Sequence, residues 1–266
     1  MRRLPLNKRD SVRTLLPDTP TNCSALFLFN LETSMVVVDH EHSPKFLSIS
    51  YPDTTPPLYF IYTQAGRLLI IKQFLKHLKQ PADIVVPQSL FPVINRYWPV
   101  RFAVPVLLLA ADEDWTPKET TDYRVRLLKP AEAGKLQQAF PHDDWLWDFF
   151  STPEQLLTKG QAAAAVIDGE IASVATTLAF TEKYCELGVI TRPEYQGHGL
   201  ALECAKALSK MQFEEFGRLP CWRTHSGNIG SWKTAQRLGL KESQSQESYI
   251  FLSNYAHVGA YAHVSP

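Results

Sequence analysis

The chain has 266 residues, of which 45% are apolar and 20% are charged, as is typical of a soluble globular protein. No segment approaches the roughly 20 uninterrupted apolar residues that span a bilayer, and lysine plus arginine balances aspartate plus glutamate at 27 each. The composition therefore predicts neither a membrane nor a nucleic acid as partner, and the length allows two domains.

The first half of the chain alternates helices and strands. Four successive segments are predicted as helix, strand, helix and strand: "AGRLLIIKQFLKHL", "ADIVVP", "QSLFPVINRYW" and "RFAVPVLLLA". Their order and spacing repeat those of the segments between residues 200 and 252, which predicts a duplicated fold. Coincidence stays open as the alternative, because no residue-level identity supports the duplication. A polar stretch with a proline, residues 111–123, is the predicted linker.

The second half begins with a short strand and a helix in "YRVRLLKPAEAGKLQQAF", and "WLWDFFSTPEQLLTKG" predicts more helix with a break before Pro153. Asp168-Gly169 predicts a tight hairpin turn, and "YCELGVIT" adds a third strand to this meander. A helix is expected from Leu200 to about Phe216. The strand "LPCWRTH" precedes a helix that begins after Asn228 and ends at Gly239, and "QESYIFL" is the last predicted strand.

A glycine loop joins the third strand of the meander to the long helix. The loop exposes successive backbone N–H groups at a helix N-terminus, where the helix dipole favours negative charge. Glycine also permits positive φ and close approach of a phosphate to the backbone. The loop lacks a third glycine at Leu202, as a dinucleotide site would need, and it lacks Gly-Lys-Ser/Thr. The predicted phosphate ligands are Gln196, Gly197, His198, Gly199, Leu200 and Ala201.

The pattern [Gln/Arg]-x-x-Gly-x-[Gly/Ala] in this loop resembles the coenzyme A loop of the GCN5-related N-acetyltransferase (GNAT) superfamily. "NIGSWKTAQRLGL" resembles the second signature of that superfamily, with matches at Asn228, Ser231, Leu238 and Gly239. The resemblance covers residues 123–252. "VITRPEYQGHGLA" is most similar to the zwittermicin A resistance acetyltransferases, and "PEY...HGL" is shared with glycine N-acyltransferases.

The resemblance implies an α/β (α+β) GNAT fold, a mixed and mostly antiparallel sheet flanked by helices. It implies a degenerate GNAT-like lobe at residues 1–115, a catalytic lobe at 122–254 and a tail at 255–266, which docking alone would order. The implied activity is direct transfer of an acetyl or other short acyl group from acetyl-CoA to an amine of a small molecule.

The resemblance also implies roles for single residues. Glu186 is the expected base, and exposure to solvent beside Lys183 is its alternative unless a bulge changes its facing. The backbone of Val189, Ile190 and Thr191 is expected to pair with the pantetheine arm. Thr191 could also reach the thioester, so it joins Glu186 as a catalytic candidate. Asn228 and Ser231 are expected on the arm.

One position departs from the superfamily pattern. The usual general acid is a tyrosine seven residues after the asparagine, where this chain has Ala235. Tyr184, Tyr195 and Tyr249 are alternative donors, and His225 is a further candidate near the acyl site. A non-catalytic acyl-CoA-binding protein that kept the loop is the rival hypothesis.

The remaining expectations concern metals, partners and location. The four cysteines lack the close pair of a metal knuckle, so buried thiols and no metal site are predicted. Acyl-CoA and a small-molecule amine are the expected partners, and a homodimer stays open. A cytoplasmic location is expected, because no apolar run of signal-peptide length follows the basic N-terminus.

Overall fold

A computed structural model describes residues 1–51, 57–63, 68–78, 82–98, 100–122, 124–242 and 249–253, with the side chain of Tyr249 excepted. The chain divides into two compact units. Unit 1 comprises Met1–Pro17, Ala25–Leu107 and Gln244–Pro266, and unit 2 comprises Asp18–Ser24 and Leu108–Ser243. Within the described residues, no helix is long and apolar enough to cross a membrane. The predicted tail at 255–266 and part of "YTQAGR" lie outside the described residues.

Seven α-helices and thirteen strands are described. The helices are α1 (Cys23–Phe29), α2 (Leu68–Leu75), α3 (Phe91–Tyr97), α4 (Ala133–Ala139), α5 (Pro153–Lys159), α6 (Leu200–Phe216) and α7 (Ile229–Leu238). The strands are β1 (Arg2–Leu4), β2 (Met35–Val38), β3 (Phe46–Tyr51), β4 (Leu58–Thr63), β5 (Asp83–Pro87), β6 (Phe102–Ala110), β7 (Val125–Leu127), β8 (Ala162–Ile167), β9 (Glu170–Phe180), β10 (Tyr184–Thr191), β11 (Leu219–His225), β12 (Lys241–Glu242) and β13 (Tyr249–Ser253). Short 3₁₀ helices cover Leu6–Leu15, Pro20–Asn22, Gln88–Leu90, Pro130–Glu132, Asp144–Leu146, Asp148–Phe150 and Pro193–Tyr195.

The sheet of unit 1 has the order β1-β2-β3-β4-β5-β13-β6. All its pairs are antiparallel except β4 with β5, the pair that α2 connects. Helices α2 and α3 supply part of the core, which also includes Ile84, Ile250 and Leu252 from the strands. The last strand of the chain thus lies within the sheet of the N-terminal unit, whereas the predicted lobe boundaries assigned it to the C-terminal lobe. Whether the two lobes are copies of one fold stays a prediction.

The sheet of unit 2 runs from the end of β6 through β11, β10, β9 and β8 to β7, and β12 also pairs with β6. The meander β8-β9-β10 is antiparallel, and only its last strand makes a parallel pair, with β11. Helix α6 packs on one face of this sheet through Leu200, Cys204 and Leu208, which are buried. The long parallel crossover β10-α6-β11 is the connection that creates the site described below.

Several local predictions are confirmed. Asp168 and Gly169 have φ of 51° and 84°, the two positive values of a type I′ hairpin turn. Helix α6 has the predicted bounds, and the Asn228 side chain caps α7 by accepting a hydrogen bond from Ser231 N. Gly239 ends that helix at φ 97°. These features depend on nearest neighbours in sequence, which is why the pattern was sufficient.

The continuous helix predicted through residues 145–150 is wrong. Two 3₁₀ turns stand there, because the i→i+3 hydrogen bonds Leu146 N to Asp143 O and Phe150 N to Trp147 O close the chain tightly. Ser151 then adopts φ 68°, which stops the run before α5 begins at Pro153.

Candidate functional site

Strands β10 and β11 are paired over only part of their length. The parallel register joins Tyr184, Cys185 and Glu186 to Leu219, Pro220 and Cys221. Beyond this point β10 continues to Thr191 against β9 alone, and β11 continues to His225. Within the described residues the two strands therefore separate after the Glu186–Cys221 pair, and the rest of β10 has a free hydrogen-bonding edge toward β11.

The direction of one ladder bond shows which backbone groups occupy that edge. Arg192 N donates to Ala172 O, so in this antiparallel ladder the backbone groups of Ile190 also face β9. Those of Val189 and Thr191 face the opposite side. The Ile190 carbonyl in addition accepts a hydrogen bond from Ser173 Oγ at 3.0 Å. The expected pairing of the pantetheine arm is thus left to Val189 and Thr191, and Ile190 is corrected out of that set.

The glycine loop lies at the end of β10 where this free edge stops. Gly197 and Gly199 have φ of 81° and 78°, a left-handed conformation that glycine adopts without strain. Gly199 is the N-cap of α6 and provides no side-chain cap. Leu202 N donates to Gly199 O at 3.1 Å, whereas the N–H groups of Leu200 and Ala201 come too early in the helix for an intrahelical acceptor. A Cβ atom built on either glycine would meet nothing within 4 Å. The loop is therefore an open cradle of donors at the positive end of a 17-residue helix dipole.

The other loop residues support this cradle from within. Gln196 Nε2 donates to Thr191 O at 3.2 Å, and His198 Nδ1 lies 3.3 Å from Tyr195 O. Both side chains are exposed, as are Gly197 and Gly199. Leu200 is buried and anchors the first turn of α6 in the core, so its contribution to an anion site is its N–H group, as for Ala201.

Thr191 lies far from Glu186. Five residues of extended strand, about 16 Å at 3.3 Å per residue, separate them, and their odd and even positions place the two side chains on opposite faces. Thr191 Oγ1 is 2.7 Å from Ser173 Oγ, its cross-strand neighbour. The structure does not bring the two catalytic candidates together, so Thr191 belongs to the loop end of the strand and not beside Glu186.

Beyond Glu186 the separating strands β10 and β11 leave a gap between them. Glu186 lies at the closed end of this gap, and its side chain is buried. Oε2 accepts a hydrogen bond from Ser24 Oγ at 2.7 Å and lies 3.6 Å from Arg223 Nη2. Exposure to solvent beside Lys183 is therefore wrong. The ladder irregularity next to Glu186 places the extra residue, Leu178, in β9, so the alternation of β10 itself is kept.

Sequence reasoning missed both partners of Glu186. Ser24 comes from residues 18–24, which belong to unit 2 although the next segment of the chain, Ala25–Leu107, belongs to unit 1. Arg223 is two residues after Cys221 on the same face of β11, and its Nη2 also donates to Thr21 O at 3.0 Å. The available signal was the two-residue spacing of Cys221, Arg223 and His225 in β11. Because side chains alternate along a strand and Cys221 pairs with Glu186, this spacing places all three on the face of Glu186.

The side chain of Trp145 lies against the same face of the sheet at Gly188. A Cβ atom on Gly188 would lie 2.7 Å from Leu178 Cδ2 and 2.9 Å from Trp145 Cζ3, so any larger residue would force these side chains to shift. Trp145 Nε1 donates to Asp143 Oδ1 at 3.1 Å. In the turn that follows, burial raises the pKa of Asp148 to about 6, and the nearby Asp144 charge adds to this effect.

Asn228 and Ser231 are engaged within the protein. Asn228 Oδ1 accepts from Ser231 N at 3.0 Å, and Ser231 Oγ accepts from Trp222 Nε1 at 2.8 Å. Trp222 is buried in the core of unit 2, which favours a packing role for it. A contact of either capping residue with a pantetheine arm stays a prediction.

The position of the usual tyrosine holds a core residue. Ala235 is fully buried beside Leu238 in the core of unit 2. Tyr184 lies on the face of Glu186, and burial, then the Asp18 charge, raises the pKa of its phenol. Tyr195 lies in the loop with the Arg192 guanidinium 5.6 Å from its ring centre, and the side chain of Tyr249 is outside the described residues. His225 is buried at the end of β11.

This geometry can be compared with known proteins. A family model described as GNAT acetyltransferase matches residues 108–249, more than half of the chain. The chain belongs to the GNAT acetyltransferase family. The matched range contains the glycine loop, the separating strands and Glu186, and the α/β fold predicted from the sequence is confirmed.

A curated relative from Streptomyces virginiae, called an uncharacterized N-acetyltransferase in the mutA 5′ region, is 33% identical over 137 residues. That match covers 51% of this chain and 52% of the relative, so it spans about half the length of each. A solved GCN5-related N-acetyltransferase-like protein from Streptococcus suis matches with a TM-score of 0.70 at 18% identity, over 93% of this chain and 99% of that one. A tandem GNAT protein from the clavulanic acid biosynthesis pathway matches with a TM-score of 0.61 at 13% identity, over 94% and 96%. At these identities the solved structures establish the fold alone.

Proposed function

We propose that the chain is an N-acyltransferase that moves an acetyl or other short acyl group from acetyl-CoA to an amine of a small molecule by direct transfer. One observation carries the proposal: the gap between β10 and β11 has a cradle of backbone N–H donors at its open end and a buried carboxylate at its closed end. The GNAT family generally uses acetyl-CoA as co-substrate, which agrees with a linear site of this form.

The chain would bind acetyl-CoA mainly through its backbone. Pyrophosphate oxygens would accept hydrogen bonds from N–H groups of the loop between Gln196 and Ala201, where the helix dipole adds attraction. The pantetheine arm would pair with Val189 and Thr191 as an added strand. This arrangement would direct the thioester toward Glu186, and the open space at Gly197 and Gly199 would admit a bulky phosphate.

Glu186 would serve as the base. Deprotonating an aliphatic ammonium with a pKa near 10 costs roughly 4 kcal/mol at pH 7, so the reaction needs a proton acceptor. Ser24 and Arg223 both contact Oε2, so Oε1 is the oxygen that would take the proton, directly or through water. The amine nitrogen then attacks the thioester carbon, the C–S bond breaks, and the thiolate leaves.

The departing thiolate needs no tyrosine at position 235. A thiol with a pKa of about 8 to 9 can leave as thiolate and take its proton from water. The resemblance to zwittermicin A resistance acetyltransferases and glycine N-acyltransferases supports a small-molecule amine as acceptor. Trp145 and the carboxylates of residues 143–148 are suited to an ammonium.

The buried Ala235 favours one rival, a non-catalytic acyl-CoA-binding protein. Thermal unfolding with acetyl-CoA tests what both hypotheses share, since ligand at 100 times its Kd stabilises by about 2.7 kcal/mol. Release of free coenzyme A thiol across a panel of amines then separates them. Binding without turnover on any amine supports the rival, and absence of stabilisation by any acyl-CoA contradicts both.

Two substitutions test the base. Glu186→Gln should lower kcat by about 10²- to 10⁴-fold while acetyl-CoA affinity is kept. Glu186→Gln leaves the Arg223 charge buried without its partner, which can destabilise the fold. Glu186→Asp is therefore the second variant, because it keeps the negative charge but withdraws the carboxylate by one methylene. Glu182→Gln, an exposed residue four positions earlier, is the matched control. Unchanged turnover in both Glu186 variants removes this residue from the mechanism.

A further inference from the structure

Two buried cysteines lie beside Glu186. The parallel register pairs Glu186 directly with Cys221, so the two side chains project from the same face of the sheet. Cys23 comes from the 18–24 segment of unit 2 and lies over that face, with its Sγ 3.8 Å from both Ala179 O and Tyr184 O. Neighbouring Ser24 donates to Glu186. Three chain segments thus meet at one point.

The ligand atoms of these three residues are close enough to share one metal ion. The two Sγ atoms and a Glu186 carboxylate oxygen all lie within 4.8 Å of one another, and all three side chains are buried. Tetrahedral zinc, with Zn–S near 2.3 Å and Zn–O near 2.0–2.2 Å, needs ligand atoms about 3.5–3.8 Å apart. Small side-chain rotations would bring the cluster to that spacing. The sequence shows no close cysteine pair because 198 positions separate the two thiols.

The charges at this point also fit a divalent ion. A zinc ion would displace one proton from each thiol to solvent. The +2 charge of the ion and the +1 charge of Arg223 then balance two thiolates and one carboxylate. The Ser24 hydroxyl and the Arg223 guanidinium would orient the carboxylate from outside, as is usual around bound metals.

We propose that Cys23, Cys221 and Glu186 form a binding site for a thiophilic divalent metal ion, zinc in the first instance. The ion would be held by three protein ligands, with a fourth coordination position left over. It would also occupy the carboxylate assigned above as the base, so zinc should inhibit acyl transfer. That consequence rests on the proposed function, whereas binding itself does not.

Cobalt titration of the metal-free full chain tests binding without any turnover. Thiolate ligation gives Co²⁺ an intense near-ultraviolet charge-transfer band, and zinc should abolish that band at one equivalent. Cys23→Ser and Cys221→Ser should each remove most of the band. Cys204→Ser is the matched control, because Cys204 is equally buried but lies within α6 itself, in the core of unit 2. Absence of the band in the wild type, or its persistence in both test variants, overturns the proposal.

Wild-type protein provides a second measurement if a variant does not fold. X-ray absorption of the zinc-loaded chain should show two sulfur ligands near 2.3 Å and oxygen near 2.0–2.2 Å, and a shell without sulfur overturns the proposal. Turnover with zinc and with a chelator then tests the consequence. Zinc bound through sulfur with unchanged turnover supports the site and contradicts Glu186 as base. Loss of turnover that a chelator reverses supports both.

Discussion

Gly199 and Gly217 form a matched pair of test positions at the two ends of α6. Both adopt the left-handed conformation, with φ of 78° and 67°, and a Cβ atom on either would meet nothing within 4 Å. Gly199 is the N-cap at the proposed phosphate cradle, and Gly217 is the C-cap at the far end. Alanine at each position therefore imposes the same backbone strain, but only one of the two methyl groups stands where a phosphate would approach.

The two effects differ in size and in the quantity they change. Alanine in the left-handed region costs about 1–2 kcal/mol, so both variants should lose that much free energy of unfolding and about 2–8 °C in Tm. Gly199→Ala should in addition lose one charge-assisted hydrogen bond to phosphate, worth about 1.5–3 kcal/mol. Its affinity for acetyl-CoA should therefore fall about 10- to 150-fold. Gly217→Ala should bind like the wild type.

Isothermal titration calorimetry with acetyl-CoA and with free coenzyme A measures the affinities, and thermal unfolding without ligand measures the strain. Because Gly199→Ala and Gly217→Ala should be destabilised equally, comparing their affinities separates the loss of phosphate binding from the loss of stability. If Gly199→Ala weakens binding no more than Gly217→Ala does, the N-terminus of α6 is not the phosphate site and the proposed orientation of the co-substrate is refuted.

Three further predictions concern packing, hydrogen bonding and titration. Gly188→Ala should lower the free energy of unfolding by about 1–3 kcal/mol in urea titrations, because its methyl would overlap Leu178 and Trp145; an unchanged midpoint would contradict this packing. Thr191→Val should cost about 1 kcal/mol of stability, because the cross-strand hydroxyl contact with Ser173 is lost, but should leave kcat within about twofold. A large fall in kcat would show that the Thr191 hydroxyl takes part in catalysis. Burial raises the pKa of Asp83 to about 6, against about 3.9 when unfolded, so folding binds this proton more tightly and stability falls as pH rises from about 4 through 6. Asp83→Asn should therefore be more stable than the wild type by up to about 2–3 kcal/mol near pH 7.5 and equal to it near pH 4. Urea unfolding at both pH values measures this difference in stability, and a difference that is the same at both pH values would contradict the prediction.

Local sequence was sufficient for the elements that surround the site. The glycine loop, the α6 helix and the Asn228 cap depend on the conformational preferences of a few adjacent residues, and each was found where the pattern predicted it. The family resemblance rested on the same short segments. The position of Glu186 in β10 followed in the same way, and alternation correctly placed it on the face of Gly188.

Strand pairing decided the roles within β10. Whether a backbone group faces β9 or the gap depends on the register with another strand, which the sequence of β10 does not contain. That register turned Ile190 toward β9 and left Val189 on the free edge. The length of the strand likewise separated Thr191 from Glu186.

The sequence by itself determined the family, the position of the glycine loop and the residue proposed as the base. Only the tertiary structure decided what surrounds that base, because Ser24, Cys23 and Arg223 reach it from segments far apart along the chain. It also placed β13, the last described strand, in the sheet of the N-terminal unit. Contacts of this kind form when distant segments bury apolar surface and pair their backbones together, and no local preference of the residues involved encodes them.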